Sequence, residues 1–381
     1  MRKPTIHILL VSAQAAPNLL PAFDPEIKPK EVILLVTGKM ESRASALEAV
    51  FREASVKVSR VALDDEHDFS SLEEVLLGLA ASRDGEDIAL NVTGGTKLMA
   101  LAAQSVAQAA KWRVFYVDID TDEVIWLGKE TQRKKLAGSL RLPHYLKGYE
   151  FQLEKGIERP QANRNHHELL QTLIRQVASL EAPLGTLNFL AQEAGYKNTL
   201  SIALTPEQHD SRSLEALLRH FESAGVLSSE SGTIRFASEQ DRAFANGGWL
   251  EHHVYQTVSG LHGQLALRDK AANLVVVDGD GVKNELDIAF IARNRLFVIE
   301  CKTARMDNAR AGKDSNKAND TLFKLSEICR RVGGLGTRGM LASYRQLADA
   351  EKKLAHALGI DVIAGGELTR LEERLKRWVK G

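Results

Sequence analysis

The sequence predicts an α/β protein in three sections: an open, mostly parallel sheet with helices on both faces over 1–145, a helical connector over 146–240, and a second α/β unit over 241–381. Three observations carry this. Through residues 5–127, strand-length apolar runs alternate with stretches of helical spacing, the pattern of a parallel sheet crossed over by helices. Charge and turn formers gather over 128–165, and helical spacing dominates 166–240. Strand patterning then resumes, most clearly in "NELDIAFIARNRLFVIECK" (284–302), which reads as two strands joined by a tight turn.

In order, the first section offers the strands "IHILLVS" (6–12), "EVILLVTG" (31–38), "VKVSRVAL" (56–63), "DIALNVTGG" (87–95) and "RVFYVDID" (113–120), with "TDEVIWLG" as an added edge strand. Its helices fall at 42–54, 70–82 and 97–110, where apolar residues recur every three or four positions. The basic, then apolar N-terminus is too short in its apolar part for a leader and reads as the first strand. In the connector, "HHELLQTLIRQVASL" is helical, and "SLEALLRHFESAGVLSSESGTIRFAS" gives a helix, a glycine stop and a short polar hairpin. That order resembles a winged-helix fragment; a plain helical spacer is the alternative. The third section opens with the amphipathic helix "GGWLEHHVYQTVSGL" (247–261). It continues through strands in 265–281, the 284–302 hairpin and the helix "TLFKLSEICRRVGG" (321–334), then late strands at 338 and 360 and a basic terminal helix.

Fifty basic residues balance fifty acidic ones, so overall charge gives no sign of a nucleic-acid partner. The balance is uneven along the chain: 241–381 carries 23 Lys/Arg against 18 Asp/Glu, a weakly basic C-terminal unit. Two cysteines, Cys301 and Cys329, make no disulfide framework, and a reducing, cytoplasmic setting is the expectation. No apolar run approaches membrane-spanning length.

The hairpin is where chemistry is expected. With Arg293-Asn294 as a two-residue turn, Ala292 pairs with Arg295 and Asp287 falls opposite Glu300. Opposed residues share a face with Cβ atoms about 5 Å apart, and Lys302, two positions beyond Glu300, joins them. Leu286, Ile288, Phe290, Phe297 and Ile299 are expected on the other, apolar face. Two carboxylates so close repel unless a cation lies between them. Oxygen donors favour a hard divalent ion, Mn²⁺ or Mg²⁺, and the Cys301 carbonyl is a further candidate ligand. Lys302 is placed to orient a water or to stabilise developing charge; the Cys301 thiol faces the apolar side and takes no nucleophilic role. A surface hairpin with a cross-strand ion pair is the bland alternative, opposed by the apolar back face.

The first section suggests a ligand edge. "LNVTGGTKLMAL" ends a strand and opens a helix, so Thr93, Gly94, Gly95, Thr96 and Lys97 set backbone amides, hydroxyls and an ammonium at a helix N-terminus, where phosphate binds well. The spacing is not that of a P-loop. Ser12, Gln14, Thr37, Gly38, Ser42 and Arg43 follow neighbouring strands and are expected along the same edge.

Leu286-Asp287 with Glu300-Cys301-Lys302 resembles the PD-(D/E)xK nuclease core, without the proline of its name. Such cores usually add an acidic residue from a preceding helix, and Glu251 stands in that place. Arg305 and Lys324 are candidate phosphate contacts, and Arg305, Arg310, Lys313 and Lys317 suggest a basic flap over nucleic acid. The N-terminal motifs resemble a Rossmann-like CARF domain, and the whole order resembles the CRISPR ancillary nucleases of type III defence. That resemblance implies a homodimer binding one cyclic tetra-adenylate across its axis. It also implies a restriction-endonuclease-like domain that then cuts single-stranded RNA or DNA and nicks supercoiled DNA. Two rival readings remain: a ligand-responsive transcription regulator using 166–240 on DNA, and a restriction-type nuclease with no second messenger. The His166-His167 and His252-His253 pairs lack zinc-ligand spacing, and Trp249 is expected to anchor its helix.

Overall fold

The structure is a computed structural model that describes residues 4–160, 164–303 and 317–381. Strands and helices alternate from the start: β1 (Ile6–Leu10), α1 (Ala16–Phe23), β2 (Glu31–Thr37), α2 (Glu41–Glu53), β3 (Lys57–Leu63), α3 (Phe69–Ser82), β4 (Ile88–Asn91), α4 (Lys97–Ala109) and β5 (Arg113–Asp118). Two further strands, β6 (Glu123–Leu127) and β7 (Gln132–Lys135), turn back antiparallel. They complete a seven-stranded sheet in the order β3-β2-β1-β4-β5-β6-β7. The expected edge strand, β6, is thus internal. The edge is the fully exposed "QRKK" of β7, whose charge discourages pairing with another chain.

Helix α1 was not expected, because Pro17 and Pro21 argue against one. Pro17 sits in the first turn, where its missing N–H costs nothing. Pro21 cannot donate to the Pro17 carbonyl four residues back, and Asn91 Nδ2 of β4 donates to it instead, at 3.1 Å.

The 128–165 stretch is more ordered than a linker. It forms β7, α5 (Leu142–Gly148) and β8 (Gln152–Leu153), and β8 pairs with the C-terminal sheet. Next come α6 (Arg164–Arg175), α7 (Val177–Tyr196), β9 (Ser201–Ala203), α8 (Pro206–His209), α9 (Arg212–Ser223), β10 (Leu227–Glu230), β11 (Thr233–Phe236) and α10 (Glu239–Ala243). The single helix expected from 166 is two, broken at Gln176. From α7 to β11 the order is helix, strand, two helices, hairpin, with β9 pairing antiparallel on β11; this is the element order of a winged helix.

The last section holds α11 (Trp249–Gly260), β12 (Leu267–Val277), β13 (Lys283–Ala292), β14 (Arg295–Lys302), α12 (Lys317–Gly333), β15 (Arg338–Ser343), α13 (Asp349–Ala357), β16 (Ile360–Ala364) and α14 (Leu371–Lys380). Its sheet runs β16-β15-β14-β13-β12-β8, antiparallel on the β12 side and parallel from β14 to β16. One face joins a hydrophobic cluster that also contains Leu9, Leu19, Phe115 and Tyr145 of the first section. The other packs on α11, α14 and the winged-helix section. Both faces are therefore covered, and the two α/β units share one core cluster.

Candidate functional site

The expected hairpin forms with the expected register. Ala292 pairs with Arg295 and Ile288 with Ile299. Arg293 and Asn294 have φ of 49° and 55°, the left-handed pair of a two-residue turn that matches strand twist. Arginine has no preference for that region, and the turn is held from outside. Asn294 is buried and donates to Asp122 Oδ1 at 2.9 Å and to the Gly138 carbonyl, while Arg295 pairs with Asp120. The closed end of the hairpin is thus docked on the β5–β6 turn of the first unit.

At the open end the three ionisable groups converge. Lys302 Nζ lies 2.6 Å from Glu300 Oε1 and 3.9 Å from Asp287 Oδ2. The same Asp287 oxygen is fixed by the neighbouring strand: the Cys301 N–H donates to Asp287 Oδ2 at 2.7 Å. Ile288, Phe290, Phe297, Ile299 and the Cys301 thiol share the apolar back face, as expected. Leu286 does not; it packs with Leu274 and Val276 in the other cluster. Asn273, at φ 49° in the facing strand, breaks the alternation there, so Ala271 and Leu274 fall on one side.

Glu251 is brought in by the start of α11. Trp249, fully buried, packs edge-on to Tyr344 at 5.0 Å and anchors the helix. Just before it Gly247 has φ 112°, and a Cβ there would lie 2.3 Å from Thr303 Oγ1. Only glycine lets the helix start come so close to the residue after Lys302. Burial pushes the Glu251 carboxyl up to about 7, with Glu285 and Glu300 adding to the rise against Lys302. Burial, reinforced by Glu300, pushes Asp287 up to about 8. Burial would lower Lys302, but Glu300 and Asp287 outweigh it and hold the ammonium above its ordinary range. The Cys301 thiol is raised by burial and stays protonated. With Glu300 turned onto Lys302, no three His, Cys, Asp or Glu side chains among the described residues stand together as a ready metal cluster.

A cavity of about 710 Å³ opens over Glu300 and Lys302, walled by α12 through Lys324, Ile328 and Arg331. Lys324 is therefore at the site, as expected, and Glu285 is an acidic neighbour that the sequence reading missed. Arg305, Arg310 and Lys313 lie outside the described residues.

The edge of the first sheet is partly as expected. Gly94 and Gly95 permit a close approach, but to the neighbouring strand β1: a Cβ on Gly94 would lie 2.2 Å from the Leu10 carbonyl, and Gly95 has φ 74° with Leu10 Cβ 2.9 Å away. Ser12 borders the same turn. Thr96 caps α4 by accepting from the Met99 N–H at 3.2 Å, and Lys97 opens that helix exposed to solvent. The Thr37 hydroxyl is buried and makes no hydrogen bond of normal geometry; it lies near enough to Glu66 to help stabilise that carboxylate. Gly38 faces open space.

Other residues of this set are engaged elsewhere. Thr93 Oγ donates to Asn91 Oδ1 at 2.6 Å and accepts from the Val117 N–H at 2.7 Å, bracing two strand ends. Ser42 bonds Glu150, and Arg43 bonds the Gly148 carbonyl, pairs with Glu150 and stacks over Tyr149. Gln14 accepts from Tyr149 and lies against Gly334, so it faces the end of α12. Asn91, buried in β4, holds both the turn and α1; a lone polar residue in an apolar strand was the signal for it.

Comparison with known proteins places these features. A model of the Card1 CARF domain matches residues 6–145, and one of the Card1-like endonuclease domain matches 238–381. The structure of protein VC1899 from Vibrio cholerae superposes with a TM-score of 0.90 at 27% identity, over 98% of each chain. Can2 from Sulfobacillus thermosulfidooxidans, in complex with cyclic tetra-adenylate, gives 0.81 at 25% identity, over 99% of this chain and 98% of that one. A type III CRISPR defence DNA nuclease activated by cyclic oligoadenylate shares the fold with a TM-score of 0.54 at 20% identity, over 91% of this chain and 46% of that one. No curated protein sequence matches the chain.

Proposed function

Since this chain belongs to the CRISPR ancillary nuclease family, joining a Card1 CARF domain to a Card1-like endonuclease domain, we propose that it is a metal-dependent endonuclease switched on by cyclic tetra-adenylate. The observation that carries the reading is the meeting of Asp287, Glu300 and Lys302 under a cavity at the open end of a buried hairpin. A transcription regulator has no use for that meeting, despite the winged-helix order in the middle section.

The donor set fits a hard divalent cation. Glu251, Asp287 and Glu300 offer carboxylates, and burial holds the first two above the ordinary carboxylate range until positive charge is supplied. In a strand, a residue's N–H and C=O face the same neighbour, so the Cys301 carbonyl opens towards Asp287 with its N–H. These four groups would hold Mn²⁺ or Mg²⁺, with Glu300 exchanging Lys302 for the cation. When bound, such an ion supplies Lewis-acid stabilisation of phosphoryl charge and a more acidic water. The Lys302 ammonium, kept charged by its neighbours, orients the nucleophilic water or meets charge on the phosphate; Lys324 and Arg305 are the proposed contacts to the flanking backbone.

At the sensor edge the proposed contacts are Ser12, Thr37, Gly38 and the 93–97 turn, with Lys97 on phosphate and Gln14, Ser42 and Arg43 towards the seam between units. A two-fold dimer would present this edge twice to one ring. Packed side by side, α3 and α4 leave Leu77 53% and Leu101 60% exposed, an apolar face that suits a second copy.

Incubation with labelled single-stranded RNA, single-stranded DNA and supercoiled plasmid tests the proposal, with Mn²⁺ or Mg²⁺ and with or without cyclic tetra-adenylate. Cleavage only with both metal and activator is expected; cleavage independent of the activator would leave a restriction-type nuclease.

A further inference from the structure

Helix α12 buries Ala318, Leu322, Leu325, Ile328, Cys329 and Val332 as its core stripe. Phe323 is off that stripe. Its side chain is 52% exposed, yet it lines the same cavity as Glu300 and Lys302. Among the described residues no aromatic ring packs against it. Among the described residues the core stripe of α12 does not account for a phenylalanine there. Next to it Lys324 is exposed and has no ion-pair partner among the described residues.

We propose that Phe323 is a stacking platform for an unpaired base of the substrate strand, beside the phosphate that Lys324 contacts. The inference rests on the nuclease reading and deepens it, because it assigns a base contact to a residue of α12 outside the three ionisable groups. A flat apolar ring beside an exposed lysine is the combination that single strands are bound by: backbone charge on one group, the face of a base on the other. A paired base inside a duplex has both faces covered by its neighbours, so the ring can engage only a base that is free of its stack. Any of the four bases has such a face, so the contact selects strandedness and not sequence.

The test uses the full chain with cyclic tetra-adenylate in EDTA, so that binding is read without cleavage. Fluorescence anisotropy compares a short labelled oligothymidylate with an abasic strand of equal length. Wild type is expected to prefer the base-bearing strand. Phe323→Ala should lose roughly 5- to 150-fold in affinity for it and little for the abasic one, whereas Lys324→Ala weakens both alike. Phe323→Trp should keep the preference, and its added indole emission should be quenched by the base-bearing strand alone. A wild-type ratio of the two affinities in Phe323→Ala, or an altered oligomeric state in place of an altered ratio, overturns the proposal. If Phe323→Ala does not fold, the tryptophan variant decides, and an unquenched indole counts against it. Plasmid and oligonucleotide cleavage by wild type with metal runs alongside. Cleavage with an unchanged base-to-abasic ratio removes only the stacking role; no cleavage at all removes the nuclease reading with it.

Discussion

The two proposed sites reach function from opposite starting conditions. At the open end of the hairpin, acidic groups are buried together, and Asp287 and Glu251 sit near 8 and 7 because their charge is unwelcome there. At the sensor edge most polar groups are either in solvent, as Lys97 is, or already bonded within the fold, as Thr93 and Thr96 are; the buried Thr37 hydroxyl is the exception. The first site is complete in side chains and short of positive charge. The second is largely satisfied in itself, and in the proposed dimer a second copy and a ligand would complete it. The difference teaches that the proposed cation and nucleotide would act for unlike reasons: one would relieve a cost built into the fold, the other would bring two surfaces together.

The largest effect should come from the first site. Glu300→Ala or Lys302→Ala is expected to lower the cleavage rate by roughly 10²–10⁴-fold, with activator binding by calorimetry unchanged. EDTA should stop the wild-type reaction and Mn²⁺ restore it; cleavage in EDTA would break the contrast at its root. At the sensor edge, Lys97→Ala would remove the proposed charge-assisted contact from each of the two subunits of the proposed dimer. Its affinity for cyclic tetra-adenylate should fall on the order of a hundredfold or more, while cleavage at saturation largely recovers. Unchanged affinity would take Lys97 out of the site.

A sharper test of the self-satisfied edge is Gly94→Ala. Its Cβ meets backbone 2.2 Å away, so a loss of about 1–3 kcal/mol of stability is expected from a melt. Gly38→Ala, with open space around it, should be close to neutral in the same measurement. The burial of the first site is tested by pH dependence. Asp287 moves from an ordinary value of 3.8 to about 8 on folding, so between those values the folded chain holds the extra proton. The stability of the metal-free protein should therefore fall as pH rises from about 4 to about 8, by roughly 2–4 °C in Tm for each kcal/mol lost. Added Mn²⁺ should flatten that slope; a metal-free stability that rises over the same range would contradict the burial of this carboxyl.

Local grammar explains what was legible. The hairpin register followed from a two-residue turn and strict alternation, so Asp287, Glu300 and Lys302 could be placed on one face from sequence alone. Trp249 and the Gly247-Gly248 pair likewise announced a buried helix start that carries Glu251. What stayed hidden depends on partners far along the chain. No local rule allows α1 with Pro21 inside it; Asn91, seventy residues away in sequence order, makes the helix possible. Nothing near Ser42 and Arg43 in sequence reveals Glu150 and Gly148 as their partners in the fold. Gly94 and Gly95 were read for the right reason, close approach, with the wrong neighbour: the strand Leu10 belongs to and not only a ligand. Leu286 changed sides because of one left-handed residue on the facing strand.

Domains are usually exchanged between proteins at loose seams, and this molecule has no such seam at the boundary a reader would choose. Tyr145 packs among the same apolar side chains as Leu325 and Val332 of α12, β8 extends the C-terminal sheet from before the connector, and Asn294 is locked onto Asp122 and Gly138. A chimera spliced at residue 145 would cut through α5 and leave half of the first and last of these joints behind. A sensor for a different messenger would have to be grafted with α5, β8 and a matched hairpin turn. Failing that, new specificity would have to be written into the edge residues of the sensor already present.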